Sequence, residues 1–170
     1  MHVLFIIDPL PSLSAYKDSS VAMMRAFLAR GHRVSVTLQS DLYIAQSRVR
    51  TRSQAVSIAA DADLRAPAWW SHPEQAIEQE LNAFDAVIMR KDPPFDSEFF
   101  YATHMLEQAE REGARVFNKP RALRDHPEKL AIMEFPQFIG PTLVTRDAAE
   151  IKKFHAEHRD IILKPLDGMG

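Results

Sequence analysis

The chain has 170 residues, 46% of them hydrophobic, with 21 Lys and Arg against 23 Asp and Glu, a net charge of −2 and no cysteine. That length suits one domain or one and a fraction, and the apolar share is enough for a real core, which excludes wholesale disorder. The charge balance argues against a dedicated nucleic-acid binder, and without cysteine there is no disulfide framework, thiolate metal site or thiol nucleophile. The apolar run at residues 3–7 is stopped by Asp8-Pro9 and lacks the positive flank and cleavage site of a signal peptide. No apolar run approaches the roughly 18 residues of a membrane span. The expectation is a soluble, cytoplasmic protein.

Residues 3–7 read as a strand buried on both faces, as in a parallel sheet. Asp18-Ser19-Ser20 offers N-caps for a helix whose apolar stripe is Val21, Met24, Phe27 and Leu28, and Gly31 ends it. Residues 34–38 alternate like a second strand, completing a right-handed β-α-β unit. Arg48, Arg50 and Arg52 alternate with Val49, Thr51 and Ser53, which predicts a strand with its arginines on one face, most simply a solvated edge protected by charge. Trp69-Trp70 reads as a packing anchor. A helix is predicted from Pro73, with Ala76, Ile77 and Leu81 on one face. A buried strand follows at 85–89, a helix at 97–112 ended by Gly113, and a short strand at 115–118. Together these predict an α/β fold with a doubly wound parallel sheet.

After Pro120 the pattern changes. A helix is expected from Pro127 through Lys129, Leu130, Ile132, Met133 and Phe135, with Pro127 at its first position. Strands are expected at 142–145 and 161–163, around a helix at 147–158 with Ile151 and Phe154 inward. The last strand runs into Lys164-Pro165-Leu166-Asp167-Gly168-Met169-Gly170, a turn with nothing after it. Such an end leaves backbone groups unpaired. The expectation is an N-terminal fragment of a longer protein, the alternative being a terminus that frays.

No phosphate-loop motif, no G-x-G-x-x-G after the first strand and no H-E-x-x-H occurs. His155 and His158 stand at i,i+3 without a third ligand in sight, so a solvated pair is the simpler reading. Three features remain. Asp18-Ser19-Ser20 opens a helix near the carboxyl end of a parallel strand, where α/β folds bind ligands and helix N-termini favour anions; ordinary capping explains the same residues. Arg90, in Met89-Arg90-Lys91-Asp92-Pro93-Pro94-Phe95-Asp96, could hold a substrate carboxylate by a bidentate fork. The competing reading is a surface ion pair of Arg90 or Lys91 with Asp92 or Asp96. Lys129 and Lys164, with the glycine turn beyond, could neutralise the phosphates of a nucleotide, although each alone is more often a snorkelling surface lysine.

Asp8-Pro9, Lys17 to Ser20, Asp41-Leu42-Tyr43, M-R-K-D-P-P-F-D at 89–96, Tyr101-Ala102-Thr103, Val116 to Pro120, Leu123-Arg124-Asp125, Glu128-Lys129-Leu130, Leu143 to Arg146 and I-I-L-K-P-L-D-G-M-G at 161–170 resemble, in order and spacing, the bacterial glutathione synthetases of the ATP-grasp superfamily. The resemblance implies an N-terminal substrate-binding (pre-ATP-grasp) domain over 1–120 and the beginning of an ATP-grasp domain over 121–170. It implies ATP-dependent ligation of γ-glutamylcysteine and glycine through an acyl phosphate, giving glutathione, ADP and phosphate. By the same resemblance Lys129, Lys164, Gly168 and Gly170 bind ATP, while Arg90, Asp18, Ser19 and Ser20 face the dipeptide. No catalytic residue and no metal ligand falls within the chain. The Mg2+ ligands are expected beyond residue 170, so the 170-residue chain alone is expected to be inactive. A homotetramer, and no nucleic-acid or membrane partner, are expected of the whole protein. Two alternatives stand: a different ATP-grasp carboxylate–amine ligase, or a truncated module that binds a γ-glutamyl peptide without reacting it.

Overall fold

Val3, Phe5 and Ile7 fall on one side of the first strand and Leu4 and Ile6 on the other, each no more than 2% exposed. This two-sided burial is why the run is continuously apolar. In the computed structural model, which describes residues 1–92 and 94–168, that strand is β1 (His2–Ile6). It lies parallel to β2 (Arg33–Thr37) on one edge and to β6 (Ala86–Met89) on the other, and β7 (Val116–Phe117) extends the sheet beyond β6 in parallel.

Two helices cover opposite faces. The first, α1 (Ser19–Ala29), buries Val21 and Met24 against Val3 and Phe5. The second, α2 (Ser97–Arg111), buries Phe99, Ala102, Leu106 and Ala109 against Leu4, Ile6 and Val87. Asp18 and Asp96 cap them, Asp18 accepting from the Ser20 and Val21 N–H groups and Asp96 from the Phe99 N–H. Gly31 and Gly113 follow their C-termini at φ +73° and +101°, where a side chain would be strained. The doubly wound arrangement is therefore present, and the winding reverses between β1 and β6.

The sheet is mixed rather than all-parallel. A hairpin of β3 (Leu42–Ala45) and β4 (Arg48–Ala55) turns through Gln46 and Ser47, both at positive φ, as a two-residue type I′ connection requires. β4 pairs antiparallel with β3, with β2 and with β5 (Ile77–Glu80). Its arginines share one face as expected, but it is not a solvated edge. β5 places Glu80 opposite Arg50 and Glu78 opposite Arg52, with charged atoms 3.1 and 3.4 Å apart. This pairing also overturns the helix expected from Pro73. Ile77 is 43% exposed while Leu81 is fully buried, so no common apolar stripe exists for a helix to bury, and cross-strand charge selects the strand. Trp69 packs into the core on the α1 side, as an anchor should.

Beyond β7 three expectations fail. The helix is not at 127–135 but earlier, as α3 (Pro120–Asp125), with Pro120 in its first turn. His126 takes non-helical φ −122°, ψ 64° because it precedes Pro127. Residues Ala131–Glu134 and Pro136–Phe138 form only short 3-10 turns. Leu130, Ile132, Met133 and Phe135 remain 39–53% exposed, so no buried face sustains a longer helix. Residues 142–145 and 161–163 have no ladder partner among the described residues, and Ile162 and Leu163 are 83% and 67% exposed. Without a partner for its N–H and C=O groups an apolar run is not a strand. α4 (Ala148–His158), capped by Asp147, forms as expected, with Ile151 and Phe154 half-buried rather than in a core.

Candidate functional site

The winding reverses between β1 and β6, so the carboxyl ends of these two strands mark the usual ligand position in such sheets. The Arg90 N–H donates to Ile6 O at 2.8 Å, carrying the β1–β6 pairing one residue past β6. Its guanidinium then turns toward α1, where Nε donates to Ser20 Oγ at 3.1 Å and Nη2 to Ser19 Oγ at 2.6 Å. Arg90 is thus joined side chain to side chain with two adjacent serines 70 and 71 positions earlier in the chain. One edge of the guanidinium holds the two hydroxyls. Among the described residues Nη1 has no acceptor, so the other edge can take a carboxylate in a two-point grip.

Asp18 differs from its neighbours. Its Oδ1 accepts from Ser20 N at 2.7 Å and Val21 N at 3.1 Å, which occupies the free N–H groups of the helix start. It fixes where α1 begins, and so where the two serines stand. The ion pairs weighed from the sequence form otherwise than foreseen. Lys91 Nζ meets Asp8 Oδ1 at 2.8 Å rather than the Asp92 or Asp96 side chain, Asp8 Oδ2 accepts from Asp92 N at 3.0 Å, and Asp96 caps α2 through Phe99 N at 2.9 Å. The sequence placed Asp8 at the start of the loop on the ligand side of the first strand but gave it no role of its own. Its signals in the sequence are its place just after an apolar strand and its membership of the Asp8-Pro9 segment.

Lys129 and Lys164 come together on a second feature, an open groove of about 990 Å³ walled by apolar residues including Ile132, Val144, Ile151 and Phe154. Glu128 joins them there. The Lys129 Nζ lies 2.8 Å from Glu128 Oε1, and this hydrogen bond and charge, with the more distant charge of Lys164, hold the Glu128 carboxyl below the usual glutamate value. The Lys129 side chain is 15% exposed. Gly168 lies apart, in a smaller pocket of about 200 Å³ that it shares with Lys91, Phe95, His126 and Lys129. The Phe95 N–H donates to Asp167 O at 2.6 Å, both residues lining this pocket. This pocket is where the loop carrying Arg90 meets the segment carrying Lys129. Gly170 lies outside the described residues. His126, which the sequence did not single out, bonds Glu134 Oε1 through Nδ1 at 2.6 Å, and that contact raises its pKa above the ordinary imidazole value. Among the described residues no group of three or more His, Asp or Glu could hold a metal. No helix among them is long and apolar enough to cross a membrane.

Residues 1–124 match the family described as prokaryotic glutathione synthetase, N-terminal domain, and residues 128–170 match prokaryotic glutathione synthetase, ATP-grasp domain. A protein named glutathione synthetase from Bordetella parapertussis is 61% identical over 170 residues, covering 100% of this chain and 54% of that protein. One from Ralstonia nicotianae is 49% identical over 170 residues, covering 100% of this chain and 51% of that protein. The chain therefore spans about half the length of the curated relatives it matches. Among solved structures, the ATP-grasp ligase PsnB complexed with a phosphomimetic variant of its minimal precursor, Mg and ADP superposes with a TM-score of 0.48 at 21% identity, covering 99% of this chain and 55% of that chain.

Proposed function

The chain belongs to the prokaryotic glutathione synthetase family, and on that premise we propose that the whole protein carrying it joins γ-glutamylcysteine to glycine at the expense of ATP. The observation that carries this reading is the loop after β6, in which Arg90 is held at the switch point by Ser19 and Ser20 while the next residue, Lys91, lines a small pocket together with Lys129 and Gly168. In the proposed roles the open edge of Arg90 grips an anionic end of the dipeptide, Asp18 sets the helix start that presents both serines, and Lys129 and Lys164 neutralise the phosphates of ATP. Gly168 and Gly170 belong to the turn that approaches those phosphates.

The chemistry follows from charge. The cysteinyl carboxylate attacks the γ-phosphorus, the bond to the β-phosphate oxygen breaks, and ADP leaves with an acyl phosphate formed. The glycine amine then adds to the acyl carbon and phosphate departs, giving the amide. Both reactants of the first step are anions, so a rate at neutral pH requires fixed positive charge between them. The lysines answer that need on the nucleotide side and Arg90 on the peptide side. Magnesium belongs to the family chemistry in this reading, and its ligands are expected in the part of the whole protein that this chain does not span. A cytoplasmic homotetramer is the location and assembly this reading carries.

The test is ADP release by the whole protein with ATP, Mg2+, γ-glutamylcysteine and glycine. Turnover should require both amino components, and Lys129→Ala or Lys164→Ala should lower kcat/KM roughly a hundredfold, the scale of losing one fixed charge contact in a transition state. Parental rates in both variants would overturn the site. Stimulation by another amino acid in place of glycine would move the protein to a different carboxylate–amine ligase.

A further inference from the structure

We propose that Asp8 is a positioning residue that holds Arg90 in its ligand-gripping orientation, an inference that rests on the assignment of Arg90 to the dipeptide. Asp8 follows β1, and Arg90 to Asp92 follow β6, so the two segments leave neighbouring parallel strands at the switch point. Three contacts tie them. The Arg90 N–H bonds Ile6 O at 2.8 Å, Asp8 Oδ1 meets Lys91 Nζ at 2.8 Å, and Asp8 Oδ2 accepts from Asp92 N at 3.0 Å. Lys91 Nζ also donates to Asp92 O at 2.6 Å, closing a ring of carboxylate, ammonium and peptide.

The ring has a mechanical consequence. Arg90 stands between two anchors: its backbone is held from the β1 side by Ile6 and, through its neighbours, by Asp8; its side chain is held from the α1 side by Ser19 and Ser20. A long arginine held only at its tip would swing as its backbone moved, and a two-point grip tolerates little misplacement. The Asp8 and Lys91 side chains are only 23% and 20% exposed, so water screens their pairing less than on an open surface. Both carboxylate oxygens of Asp8 are engaged within the protein. Asp8 therefore acts through Arg90 rather than by touching the dipeptide.

Steady-state kinetics on the whole protein decide this, using Asp8→Ala, Asp8→Asn, Arg90→Ala and the Asp8→Ala/Arg90→Ala double variant. Asp8→Ala should raise the KM for γ-glutamylcysteine roughly tenfold, the scale on which outer partners of a ligating group act. The kcat and the KM for ATP should stay within about twofold of the parent, as for sites that do not couple. Asp8→Asn keeps an oxygen for the Asp92 N–H but loses the charge facing Lys91, so it folds like the parent and gives a smaller rise. In the Arg90→Ala background Asp8→Ala should add nothing beyond about twofold. An equal rise in both backgrounds, or no rise with Arg90 present, overturns the proposal. If Arg90→Ala itself leaves the dipeptide KM unchanged, the assignment of Arg90 has failed first and takes this inference with it; if Arg90→Ala raises that KM and neither Asp8 variant does, only the role of Asp8 has failed.

Discussion

Arg124, 12% exposed at its side chain, reaches from α3 back to α2, where Nη1 donates to Thr103 Oγ1 at 3.1 Å and Nη2 to the Glu107 carboxylate. Thr103 is fully buried, so the guanidinium is clamped between a hydroxyl and a charge. The hydrogen bond from Arg124 is the main reason the Glu107 carboxyl titrates below its ordinary value of 4.5, with the charges of Arg124 and Arg111 adding to it. A carboxylate whose pKa is depressed by folding stabilises the native state above its unfolded value and loses that contribution as pH falls through the depressed one. Arg124→Met should therefore lower the melting temperature at neutral pH, and the gap to the parent should close as the pH is taken down below the ordinary glutamate value. Thermal melts across that acid range check it, and a gap that stays constant or widens refutes it. The same side chain shows a limit of reading residues in order. Arg124 stood within a recognisable motif, yet nothing local said that its partners lie 17 and 21 positions earlier.

Among the elements, α2 is the one that seals the sheet on the face opposite α1. Leu106 sits fully buried at its centre, in a cluster with Leu4, Ile6 and Val87. Leu106→Ala removes packed methyl groups and leaves a cavity, so it should cost about 2–5 kcal/mol of stability by chemical denaturation. A loss under about 1 kcal/mol would mean that the cluster collapses around the gap. The helices with clear caps were legible from the sequence. Asp18, Asp96 and Asp147 each accept at least one first-turn N–H, and Gly31 and Gly113 stand past helix ends at positive φ. β5 was not legible. Its segment has an apolar spacing that suits a weak helix, and what overrides it is the pair of arginines on β4, some thirty positions away. α3 was missed because Pro120 served equally well as a strand stop and a helix start.

At the scale of the molecule, the first half is finished and the second is open. Residues up to β7 build two closed apolar clusters, one on each face of the sheet. Beyond α3 the groove at Lys129 and Lys164 keeps Ile162 and Leu163 largely exposed. A site that transfers a phosphoryl group to a carboxylate must exclude water to protect the acyl phosphate, and this groove does not. The chain also spans about half the length of its curated relatives. A polypeptide of these 170 residues should accordingly release no ADP above background with ATP, Mg2+, γ-glutamylcysteine and glycine. Glycine-dependent release by that polypeptide would overturn the expectation.

Composition, the two-sided apolar strands, the capped helices and two long motifs were enough, without coordinates, for the α/β fold class and the family. Those features are local: a period, a cap or a run of residue types is complete within about ten positions of the chain. Contacts between distant segments are another matter. That Arg90 is held by Ser19 and Ser20, that Asp8 takes Lys91, that Glu80 and Glu78 turn a presumed helix into a strand, and that apolar runs at 142–145 and 161–163 find no ladder partner among the described residues were decided by the tertiary structure alone. A charged or hydroxyl side chain can pair with any of many partners. Only the sheet order, by setting which strand ends are neighbours, selects one.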